Sequence, residues 1–68
     1  MFEFSNNPMS IYKVHWQVID PQGDVFHGTE CVTDISVEKA ESSVERWLRS
    51  MWPERRAMWV RAVDGLTL

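Results

Sequence analysis

A chain of 68 residues with a formal net charge of −3, 44% hydrophobic and 25% charged, holds one small domain and excludes a second. One cysteine excludes an internal disulfide framework and a four-cysteine zinc site, and no apolar run reaches the length of a bilayer span. A pI near 5.2 argues against a general nucleic-acid binder, because such domains usually exceed a pI of about 9.

Charge and tryptophan are the two uneven features. Between Asp20 and Glu45 there are seven acids and one base, whereas between Arg46 and Arg61 there are five arginines and one acid. The four tryptophans are a large share for so short a chain. The chain is therefore dipolar, with an acidic stretch and an arginine cluster available to different parts of a partner.

In chain order, residues 1–10 read as an N-terminal arm, because Asn6, Asn7 and Pro8 break any regular pattern. Residues 11–68 form the domain. Residues 11–19 read as a strand with Tyr12, Val14, Trp16 and Val18 on one face and Lys13, His15 and Gln17 on the other. Asp20-Pro21-Gln22-Gly23 is a turn, with Pro at the second position of a type I turn and Gly supplying the left-handed residue of a bulge. Residues 24–33 are the returning strand. A three-residue loop sets Val18 opposite Phe26, Trp16 opposite Gly28, Val14 opposite Glu30 and Tyr12 opposite Val32. Glu30 is the misfit of that inner set and is expected near an edge or in solvent.

Ser36 suits a helix N-cap, with Ile35 before it and Glu38 near the positive end of the helix dipole. Val37, Ala40, Val44, Trp47, Leu48 and Met51 recur at helical spacing. Glu38, Glu41 and Glu45 form an acidic stripe on another side, and Pro53 ends the helix near Met51 or Trp52. Residues 56–63 read as a last strand, with Met58, Val60 and Ala62 inward and Trp59 and Arg61 outward. Asp64-Gly65 signals a turn before a short tail.

The expected architecture is α+β, in the order β-β-α-β. A right-handed crossover places the last strand beside the first, giving a three-stranded sheet of order 3-1-2 with one helix packed on one face. The other face would carry Lys13, His15, Gln17, His27, Thr29, Cys31, Trp59 and Arg61. An open antiparallel face is usually polar. Trp59 is the exception, and Trp and Arg are the residue types enriched at binding hot spots.

No catalytic, metal or cofactor site is expected. His15, His27 and Cys31 share the outer face and are ligand types suited to zinc, but a flat sheet does not wrap an ion and no fourth ligand is evident. A Cys31–His15 nucleophile and base would lack an orienting group and an oxyanion site. Phosphate-binding and metalloprotease signatures are absent from the sequence. Trp59 and Arg61 beside Lys13 are compatible with a stacking platform for single-stranded nucleic acid. Net acidity makes that the second choice.

The strand–strand–helix–strand layout resembles small bacteriophage-encoded proteins that inhibit host machinery, of the RNA polymerase inhibitor or anti-CRISPR type. The residues that carry the resemblance are the Lys13–Trp16 stretch, the acidic helix with Trp47, and Val60-Arg61-Ala62-Val63. The tryptophan content and the Arg55-Arg56 pair depart from the polymerase-inhibitor pattern. The resemblance implies a non-catalytic, cytoplasmic protein that occludes a larger protein or protein–nucleic-acid complex, with Arg61 as a contact and Glu38, Glu41 and Glu45 as the acidic stripe. The expected partner-binding residues are Lys13, His15, Trp59 and Arg61 on the sheet and Glu38, Glu41 and Glu45 on the helix. The Phe2/Phe4 arm, the Leu66/Leu68 tail and a second copy of the chain are the other expected occupants of the open face, and no membrane partner is expected.

Overall fold

The computed structural model describes residues 9–63; the arm residues 1–8 and the tail residues 64–68 lie outside them. Three strands and a helix follow in the order β1 (Ser10–Ile19), β2 (Val25–Asp34), α1 (Val37–Met51) and β3 (Ala57–Val63). Ser10, assigned above to the arm, is the first residue of β1.

The sheet is antiparallel throughout, in the order β2-β1-β3, which is the expected order read from the opposite edge. The Asp20 turn sets its register. The Asp20 carboxylate accepts from the backbone N–H groups of Gln22 at 2.9 Å and Asp24 at 2.8 Å, and Gly23 takes a φ of +92°. That left-handed residue closes a three-residue loop, so Val18 pairs with Phe26, Trp16 with Gly28, Val14 with Glu30 and Tyr12 with Val32, as expected.

Ser36 caps α1, its hydroxyl accepting from the Lys39 N–H at 3.2 Å. At the other end the Trp52 N–H donates to Leu48 O at 2.8 Å, and Pro53 follows. The Arg56 N–H then donates to Ile19 O at 2.7 Å, which docks the start of β3 on β1.

The buried side chains form one cluster: Tyr12, Val14, Trp16 and Val18 from β1, with Ala40, Val44 and Leu48 from α1. Val32, Val37, Met58, Val60 and Ala62 are partly buried against it, whereas three expected core residues are exposed. Phe26 and Trp47 are each 40% exposed and Met51 is 56% exposed. Helical spacing gives the direction of an apolar stripe but not its width. Ala40, Val44 and Leu48 lie on one i, i+4 line, while Phe26 sits on β2, which among the described residues has a neighbouring strand on one side only. Three of the tryptophans have become aromatic packing. Trp16 meets Trp47 edge-on with centroids 5.7 Å apart and Trp52 tilted at 5.7 Å, and Trp52 meets Phe26 at 5.4 Å.

Candidate binding surface

The side-chain alternation of β-strands sends the odd-numbered residues of β1, β2 and β3 to the face away from the buried cluster. Pairing across β1 orders that face in rows. Lys13 lies between Cys31 and Val63, His15 between Thr29 and Arg61, Gln17 between His27 and Trp59, and Ile19 between Val25 and Ala57. Adjacent strands stand about 4.8 Å apart, so His15 and Arg61 are direct neighbours and Trp59 sits one row along from Arg61. Trp59 is 49% exposed, and Lys13 and Arg61 are exposed beside it. Third-strand phase was the decisive unknown in the sequence, and Trp59 points outward.

Electrostatically the face stands apart from the rest of the chain. None of the odd-numbered strand residues described is Asp or Glu, although the protein is net acidic. The face carries Lys13 and Arg61 as cations, two histidines, and an apolar corner of Ile19, Val25 and Ala57 next to Trp59. Sequence reasoning missed that corner. Its signal was present, because the same alternation runs on to the ends of the strands.

The seven expected partner-binding residues divide into two groups. Lys13, His15, Trp59 and Arg61 share the sheet face. Glu38, Glu41 and Glu45 lie on α1 and do not converge with them. Glu38 is exposed, and Glu45 lies 3.7 Å from Arg49 in an i, i+4 pair. Glu41 is half-buried and its carboxylate accepts the Ala62 N–H at 2.9 Å, which covers part of the free edge of β3. No sequence signal pointed to that contact, since it spans 21 positions.

His15 Nδ1 lies 2.9 Å from Thr29 Oγ1, the residue opposite it on β2. Among the described residues no three His, Cys, Asp or Glu side chains are grouped so as to hold a metal ion. A shallow groove of about 250 Å³ runs beside the β2 edge, lined by Glu30, Cys31, Val32, Ser43, Val44 and Trp47. Glu30, the misfit of the inner face, is half-buried there. Among the described residues no helix is long and apolar enough to cross a membrane.

Comparison of the chain with protein-family models, curated proteins and solved structures finds no match.

Proposed function

We propose that this chain is a non-catalytic binding domain in which α1 packs on the even-numbered face of the sheet and leaves the odd-numbered face to a larger protein partner. One observation carries the reading: a net acidic chain keeps carboxylates off this face among its described residues and places a half-exposed Trp59 one row from Arg61. Such a face fits a partner surface that offers a carboxylate to Arg61 and Lys13 and an apolar recess to the indole. Trp and Arg at the centre of a patch carry a disproportionate share of binding energy. Glu38 and Glu45 lie on the helix, so their part is steering by charge rather than contact. Binding acts by occlusion, as the resemblance to cytoplasmic phage inhibitors of host machinery suggests.

The test is a pull-down with the intact chain, run in parallel with a Trp59→Ala/Arg61→Ala double variant whose thermal unfolding matches the parent. A protein retained by the parent should be lost from the variant, with a weakening of at least about 100-fold, as expected for two hot-spot truncations. Equal retention by both overturns the face as the site. Retention of single-stranded nucleic acid that falls steeply with salt would replace the protein partner with a phosphate backbone.

A further inference from the structure

The two edges of the sheet are treated differently by the rest of the fold. At the β3 edge, Glu41 occupies the outward N–H of Ala62. At the β2 edge, no described residue pairs with the strand. The hairpin bond from the Asp20 N–H to Asp24 O, at 3.0 Å, starts a ladder in which the even-numbered residues of β1 and β2 exchange backbone hydrogen bonds. The odd-numbered residues of β2 consequently turn their N–H and C=O groups outward along a strand of ten residues. Natural edges are usually guarded by lysine or another charge, proline, a bulge, an inward-pointing charge or a very short strand. β2 is long, contains no Lys, Arg or Pro, and pairs with β1 residue for residue without a bulge, and its guards are the two half-buried acids of its even-numbered face, Glu30 and Asp34.

Apolar surface collects on the same flank. Phe26 and Trp47 are each 40% exposed, and Trp47 and Val32 line the groove beside the edge. We infer that β2 is a homodimer interface, pairing antiparallel with β2 of a second copy about a twofold axis at Thr29. The occupant follows from self-complementarity. Two identical edges with outward groups on their odd residues supply each other's donors and acceptors, and a twofold contact closes on itself. An axis at Thr29 sets Val32 against Phe26 of the partner subunit and Glu30 against Gly28 of the partner subunit. An axis at Glu30 would set two carboxylates face to face, which directly opposed pairs disfavour. The axis at Thr29 keeps the even-numbered faces of both copies on one side, where Phe26 and Trp47 from each copy shield one another's apolar surface. The result is a continuous six-stranded sheet, and it stands whether or not the odd-numbered face binds a partner.

Sedimentation equilibrium and residue-resolved amide exchange of the full chain test this inference across a concentration series. The mass should rise from 8.0 kDa toward twice that value. Exchange at Thr29, Cys31 and Thr33 should slow by about tenfold or more as the dimer fills, while even-numbered amides of β2, already bonded to β1, change little. Thr29→Lys places two cations across the axis, and Cys31→Pro removes one outward N–H without touching the ladder to β1. Each should restore the monomer while leaving far-UV circular dichroism unchanged. A monomer at every concentration overturns the inference. So does protection at those amides that is independent of concentration, or a dimer that survives in a folded Thr29→Lys variant.

Discussion

Gly28 leaves no room for a side chain. A Cβ placed there would lie 2.7 Å from Trp16 Cζ2 and 3.0 Å from Cε2, closer than carbon atoms approach without displacement. Trp47 and Trp52 both pack against Trp16 and limit its retreat. Replacing a strand glycine with alanine normally gains about 0.5–1 kcal/mol of backbone entropy. Overpacking a filled core costs about 1–3 kcal/mol, so the clash wins. Gly28→Ala should lower stability by about 1–2 kcal/mol on this balance, read as a shift of the urea midpoint at unchanged slope. A variant as stable as the parent would show that the indole moves freely. The Trp16–Gly28 pairing was legible in the sequence, because the turn type dictated it. The pinning of Trp16 by two further tryptophans was not, because no local pattern says which way Trp47 and Trp52 lean.

The three glutamates of α1 look equivalent in sequence and are not equivalent in the fold. Glu41 is half-buried and bonded to the β3 backbone, whereas Glu45 lies 3.7 Å from the exposed Arg49. Hydrogen bonds to a charged acceptor contribute about 1.5–3 kcal/mol when well shielded. Glu41 is partly solvated, so Glu41→Ala should cost about 1 kcal/mol. Glu45→Ala should cost under about 0.5 kcal/mol, the worth of an exposed i, i+4 pair. Chemical denaturation of the two variants separates these cases. Equal losses would mean that the stripe acts through net charge and that the Ala62 contact contributes nothing. Helix position, cap and stop could all be read from Ser36, Glu38 and Pro53. The inward stripe was read too wide, by Trp47 and Met51, because periodicity cannot report how much of a helix a narrow sheet covers.

At the scale of the whole molecule, a single buried cluster joins β1 to α1, with Met58, Val60 and Ala62 of β3 packed against it. No described element has a separate core. Unfolding should therefore be one cooperative transition, with tryptophan fluorescence and far-UV circular dichroism superimposing across a urea titration. Separate midpoints would reveal a unit that melts on its own. Topology was legible because each local signal agreed with the next: period-2 runs, the Asp20 turn, and a helix long enough to return the chain. The proposed binding surface was legible only in outline. Trp59 and Arg61 follow from strand phase, but the edge of β2, unpaired among the described residues, emerges only when the whole sheet is assembled.

Strict alternation in β1 divides the labour between neighbouring residues. Tyr12, Val14, Trp16 and Val18 are all buried, while Lys13, His15 and Gln17 contribute nothing to that cluster. Selection can thus act on the two sets almost independently. The odd-numbered positions can drift, gain a charge or exchange one aromatic for another while the cluster that holds the fold stays fixed. On the proposed reading of this face, its fourteen described outward strand positions could be rewritten to suit another partner while the core pattern stays the same.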